Sequence, residues 1–227
     1  NSSLTGGLAN FAPMRARRAP GMTCLSALNQ GGAGSPEQPI NDSMGCGGVM
    51  RVAPVGWVDP WSPKECFDVG MRVAALTHGH PNGFVSAGAM ATIIRMVCVG
   101  MPLEDAAVVA LELVTETGAH ETRDILHDAL MMASGGRCDP DTMRRRLGEG
   151  WVGHEALAIG LYAALVADSF EQAVLIGANH DGDSDSTASL AGQLFAAAHT
   201  ERPAPNAWVR RLDLLEPACR LAHEWVD

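Results

Sequence analysis

Aromatic residues make up only 5% of the 227-residue sequence, and no alternating run of Val, Ile, Thr or aromatic residues is bounded as a strand would be. A sheet-based core lacks its usual material. Basic residues are also short, with 16 Lys and Arg against 26 Asp and Glu, a formal net charge of -10. That balance opposes loose association with nucleic acid or anionic lipid, while metal ions, backbone amides or a few placed Arg residues can still receive a small anionic ligand. No apolar stretch reaches the ~20 residues that a bilayer span needs; residues 83–94 and 156–167 are the longest. This pattern predicts a soluble protein. Cys24, Cys46, Cys66, Cys98, Cys138 and Cys219 form no CxxC pair and have no zinc-ligand spacing, which points to reduced thiols in a cytoplasm. The chain opens at Asn1 without a charged-then-apolar leader, as a fragment or a processed product would.

Helix signals are plentiful instead. Residues 1–42 are rich in Gly, Pro, Ser and Asn and read as loop, with one short helix near residues 23–28. From Ser62 onward, apolar spacing predicts helices at 63–77, 84–98, 103–117, 119–134, 140–147, 154–167, 170–179, 185–199 and 206–225. Several carry start signals with a physical reason. Ser62-Pro63-Lys64-Glu65 offers a capping hydroxyl, a proline whose missing N–H costs nothing at the first turn, and a reciprocal carboxylate. Ser169-Phe170-Glu171-Gln172 repeats the pattern, Asp139-Pro140-Asp141 starts another helix, and Asn206 is placed to cap the last, which Pro217 should bend or split. The result is a single all-α domain over residues 1–227, in which small residues such as Ser86-Ala87-Gly88-Ala89 let helices pack closely.

Three segments can carry chemistry. Asn179-His180-Asp181-Gly182-Asp183-Ser184-Asp185-Ser186-Thr187 leads into a small-residue helix. Hard divalent cations want oxygen ligands, and Asp183 and Asp185, two apart in an extended turn, can point to one side with the Ser186 hydroxyl beside them. The same residues also suit plain helix capping. Asn41-Asp42-Ser43-Met44-Gly45-Cys46-Gly47-Gly48-Val49-Met50-Arg51 can bring bare backbone N–H groups to a phosphate, or form a flexible turn. Thr77-His78-Gly79-His80 ends one helix and precedes another, where either imidazole can serve as a cap.

These segments, in this order, resemble the ADP-ribosylglycohydrolase family, the group that includes the enzyme reactivating dinitrogenase reductase. Its members look like Asn-x-Ser-x-Gly-x-Gly-x-x-Met-Arg-x-x-Pro, then Thr-His, then Gly-Asp-x-Asp-Thr/Ser opening a helix, and all three occur here. The resemblance implies an all-α globule whose cleft holds two magnesium ions and one ADP-ribose, and a hydrolase that releases ADP-ribose from a modified target. By position it makes Asp183, Asp185 and Ser186 metal ligands, Ser43, Met44, Gly45, Cys46 and Gly47 the diphosphate and ribose loop, and His78 a contact to the distal ribose. Met44 and Cys46 stand where relatives often carry an aromatic residue and an Asn. Family members begin with a Gly-Asp-x-x-Gly element, a Thr-Asp-Asp-Thr metal motif and an acidic residue near the attacking water, none of which lies between Asn1 and Asp42. The resemblance therefore covers the family's C-terminal two-thirds, with the general acid/base expected in the part not matched. A catalytically incomplete relative that binds ADP-ribose, or that neutralises a toxin by surface contact, is the alternative.

Overall fold

The computed structural model describes residues 19–31, 33–59 and 61–226. The loop expected over residues 1–18 lies outside the described residues. Twelve α-helices occur among the described residues: α1 (Met22–Asn29), α2 (Ala53–Gly56), α3 (Pro63–Ala75), α4 (Pro81–Cys98), α5 (Leu103–Thr117), α6 (His120–Ser134), α7 (Pro140–Leu147), α8 (Gly153–Val166), α9 (Phe170–Ala178), α10 (Ser184–Ala198), α11 (Asn206–Val209) and α12 (Leu215–Val226). A 3-10 turn, Val49–Arg51, precedes α2. The all-α expectation holds: the only β-type pairing among the described residues is an isolated antiparallel bridge between Gly45 and Val152.

The capping signals are realised as hydrogen bonds. Ser62 Oγ accepts from the Glu65 N–H at 3.2 Å, and Glu65 Oε2 accepts from the Ser62 N–H at 2.8 Å, closing both halves of the box at α3. At α9 only half forms, because Ser169 Oγ accepts from Gln172 N–H while the Gln172 side chain accepts from Asp168 N–H instead. Two boundaries differ from the sequence pattern. The α4 helix starts at Pro81, earlier than its apolar period suggests, because His80 Nδ1 accepts from the Asn82 N–H at 3.1 Å and acts as the cap. The terminal helix is split into α11 and α12 upstream of Pro217, which falls in the first turn of α12, where no partner for its nitrogen is needed. Asn206 is the first helical residue of α11 rather than its cap; that place belongs to Pro205, with no side-chain hydrogen bond.

The chain divides into two compact units. One, Gly21–Pro203, holds α1 to α10; the described part of the other holds α11 and α12. Within the first unit, α4 is buried at every residue from 82 to 94, and α8 at every residue from 156 to 164. Helices apolar on all sides must be central. Accordingly α3 and α5 flank α4, α6, α9 and α10 flank α8, and the two central helices touch each other. Fully buried Phe67, Met90, Ile93, Leu157, Ile159 and Phe195 fill the interior, each contributing roughly 1.5–3 kcal/mol by leaving water. Close approach of α3 to α4 needs a missing side chain, since a Cβ on Gly88 would lie 2.8 Å from Phe67 O.

The starts of α4, α8 and α10 are tied to one another by short links. His80 N–H, at the start of α4, donates to Ser43 O at 3.2 Å, and Gly153 N–H, the first residue of α8, donates to Met44 O at 2.7 Å. Asp183 N–H, at the start of α10, donates to Glu149 O at 2.8 Å, just ahead of α8. Helix N-termini carry partial positive charge, so this end of the unit suits carboxylates and anionic ligands.

Candidate functional site

The loop at residues 43–47 is shaped chiefly by Asn41. Its Oδ1 accepts from the Ser43 and Gly79 N–H groups, each at 3.0 Å, and its Nδ2 donates to Thr77 O at 2.9 Å. One side chain thus fixes both the loop and the turn between α3 and α4. Ser43 Oγ accepts from Gly45 N–H at 3.3 Å and lies 3.2 Å from Thr23 Oγ1 on α1. Cys46 N–H donates to Trp151 O at 3.3 Å.

His78 lies beneath this loop and is 2% exposed. A Cβ on Gly45 would be 3.5 Å from His78 Nε2, and one on Gly47 would be 3.2 Å from Cε1, so the glycines leave a strip of bare backbone against the imidazole. Burial, aided by the Arg51 guanidinium, pushes the His78 pKa down to about 4. The ring is therefore neutral at physiological pH.

Asp183 and Ser186 meet the loop across 137 and 140 residues of sequence: Cys46 Sγ donates to Asp183 Oδ2 at 3.0 Å and lies 3.4 Å from Ser186 Oγ. Burial and the Asp183 hydrogen bond push the Cys46 thiol up to about 12. It is a donor here rather than a nucleophile. Asp183 is 8% exposed and Ser186 is buried, whereas Asp185 is exposed. The reason is that α10 begins at Ser184. Extended alternation does not apply to Asp183 and Asp185; helical spacing instead groups Asp183 with Ser186, three residues on. Just upstream, a Cβ on Gly182 would lie 2.1 Å from Glu149 O, and Asp181 adopts a left-handed φ of 60°, which Asp tolerates better than most residues. Beneath the segment, Thr187 Oγ1 donates to Gly177 O at 2.6 Å and lies 2.8 Å from His180 Nε2.

Asp183 and Ser186 present hard oxygen donors of the kind a magnesium ion takes. Among the described residues no cluster of three His, Cys, Asp or Glu side chains is arranged to hold a metal. Sequence reading quoted Asn41, Thr77 and Thr187 within the three segments without giving them a holding role, and it passed over Glu149. For Asn41 a signal was present, since an Asn two residues before a Ser is a common local turn former. Trp151, 58% exposed beside Cys46, also escaped notice.

Comparison with known families bears on the same residues. No curated protein matches the sequence closely enough to count as a relative. A family model described as ADP-ribosylglycohydrolase matches residues 3–227. The match spans the glycine loop, the Thr-His turn and the acidic helix start together, and the chain belongs to the ADP-ribosylglycohydrolase family.

Proposed function

We propose that the chain serves a magnesium-dependent hydrolase that removes ADP-ribose from an ADP-ribosylated target by cleaving the glycosidic bond of the distal ribose. The observation that carries this reading is the 3.0 Å contact of Cys46 Sγ with Asp183 Oδ2, which joins the glycine strip to the acidic helix start. A diphosphate suits the strip, because its oxygens can approach bare backbone beside helix N-termini. Ser43, Met44, Gly45, Cys46 and Gly47 take the diphosphate and proximal ribose, and His78 offers a ring nitrogen to the sugar side. Asp183 and Ser186 supply oxygens to the cation, with Asp185 exposed at the same helix start. Those oxygens would hold a magnesium ion, which would supply Lewis-acid polarisation of the ribose and a more acidic water. Asp183 then acts as a ligand and not as the base, since a carboxylate beside a cation is a poor proton acceptor. The Cys46 thiol orients that carboxylate.

A second reading has its own support. The Asp183 carboxylate already accepts from the Cys46 thiol, and Asp185 is exposed. A site whose carboxylate is engaged by protein keeps affinity far better than rate, which favours a module that recognises ADP-ribose, or an ADP-ribosylated or toxin partner, without turnover. In either case we place the protein in the cytoplasm, on the support of six free cysteines, three of them exposed. Among the described residues no helix is long and apolar enough to cross a membrane.

Calorimetric titration with ADP-ribose, with and without magnesium, separates these readings when paired with release assays on arginine- and serine-linked ADP-ribosyl peptides. Magnesium-dependent binding and release is the hydrolase; binding with no release on any linkage is the module. Absence of binding in all conditions sinks both.

A further inference from the structure

Arg51 ties the glycine loop to the end of α3. Its Nη2 donates to Val73 O at 2.8 Å, Ala74 O at 3.3 Å and Thr77 Oγ1 at 2.8 Å, and its Nη1 donates to Gly47 O at 3.3 Å. A guanidinium has donors only, so Thr77 Oγ1 must accept in that contact. The single Thr77 proton then has two destinations, His78 Nδ1 at 2.8 Å and Ala74 O at 3.5 Å. Hydroxyl hydrogen bonds cluster near ~2.7–2.8 Å, and the longer alternative is weak. With the proton on the contact to His78 Nδ1, that nitrogen is the acceptor of the ring and the short bond is used, whereas an Nδ1–H donating to Thr77 would leave the hydroxyl proton only the long contact to Ala74 O. In a neutral imidazole the other nitrogen carries the hydrogen. That nitrogen, Nε2, is the one facing Gly45 and Gly47, at 3.5 Å and 3.3 Å from where their Cβ atoms would be.

The geometry points to Arg51 and Thr77 as positioning residues that lock His78 in its Nε2–H form, so that the ring presents one fixed N–H to an oxygen of a ligand lying on the glycine strip. This rests on the reading of that strip as an ADP-ribose site. The arrangement has a chemical logic. A free histidine divides its population between two ring forms, and the form with a bare Nε2 would turn a lone pair toward the ligand oxygens. Fixing the proton beforehand removes that repulsive fraction, in the way that a second group behind a ligating histidine selects which nitrogen is used.

The test reads the ring directly. Nitrogen-15 NMR of the ligand-free protein should show His78 Nε2 protonated and Nδ1 bare. Thr77→Val, which keeps the shape and removes the hydroxyl, should release the preference and weaken ADP-ribose binding by roughly five- to tenfold, the worth of about one hydrogen bond. Thr77→Ser should restore both, which a purely steric role for Thr77 would not require. A proton on Nδ1 in the wild type overturns the proposal, as does a Thr77→Val protein with unchanged ring signals and affinity. If Thr77→Val does not fold, the wild-type spectrum and Thr77→Ser still decide it. Failure of the wild type to bind ADP-ribose counts against the strip as a binding site, while the ring form is judged without ligand.

Discussion

Two helices of this protein begin with an aspartate in the same structural position, and they use it differently. At α7, Asp139 accepts from the Thr142 N–H at 2.9 Å and from its hydroxyl at 2.7 Å, an exposed cap whose pKa is lowered by those bonds. At α10, Asp183 makes no capping bond with its side chain; its carboxylate is buried and accepts from the thiol of Cys46 instead. Capping is the ordinary use of an aspartate at a helix start. Here the carboxylate is withheld from its own helix and turned to a distant loop, so the helix start forgoes the local bond that Asp139 makes. The contrast separates two meanings of one sequence pattern.

The sharpest way to break this contrast is to neutralise Asp183. Asp183→Asn should abolish the magnesium-induced rise in melting temperature that a native-state ligand produces. It should also lower ADP-ribose release by more than about 100-fold, since even groups behind a metal ligand typically cost 10–100-fold. A scanning-fluorimetry titration in which Asp183→Asn keeps the full magnesium shift would remove the ligand assignment and return Asp183 to the class of Asp139.

A pH series should show which end of the unit is acid-sensitive first. His78 is pushed down from 6.5 to about 4, so as pH falls the unfolded chain takes up its proton before the folded one. Stability is then fully present above about pH 6.5 and declines toward pH 4, by up to roughly 3 kcal/mol. For Asp139 the folded pKa is lowered from 3.8, so its contribution is present above that value and disappears only in stronger acid. Urea denaturation of wild type and His78→Asn between pH 4 and pH 7 distinguishes the two. An unchanged slope in His78→Asn would mean the buried imidazole is not its source.

The smallest effect is the control. Asp139→Ala should lower the urea midpoint slightly by loss of a cap, and should leave the magnesium response intact. A changed magnesium response would show that the two helix starts are coupled.

Helix positions were legible from the sequence because their causes are local: apolar period, a capping side chain, a proline tolerated in the first turn. The box at Ser62 and Glu65 formed as its spacing required. A cap was expected from either imidazole of the Thr-His turn, and His80 supplies it at the start of α4 by accepting from the Asn82 N–H. The break ahead of α12 lay upstream of Pro217 rather than at it, because a proline in a first turn marks a beginning more naturally than an interruption. In the site, the motif residues were legible and the resemblance set them round one cleft, but the particular contact that joins them was not. Asp183 meets Cys46 only through the packing of α10 and α8, and the separation of Asp185 from Asp183 depends on α10 starting at Ser184. The first is a property of long-range packing, which spacing does not encode, and the second turns on a one-residue difference in where a helix begins.

The carbonyls of Ser43 and Met44 are held by backbone N–H groups of His80 and Gly153, and Cys46 returns its own N–H to the carbonyl of Trp151. None of these three bonds involves a side chain of the loop. Its course is thus insulated from the identity of the residue at 44, in the manner of a socket whose frame stays fixed while the insert changes, whereas Cys46 is committed through its thiol to Asp183. Position 44 is accordingly where this scaffold can drift, or be engineered, toward new selectivity without relearning how to fold.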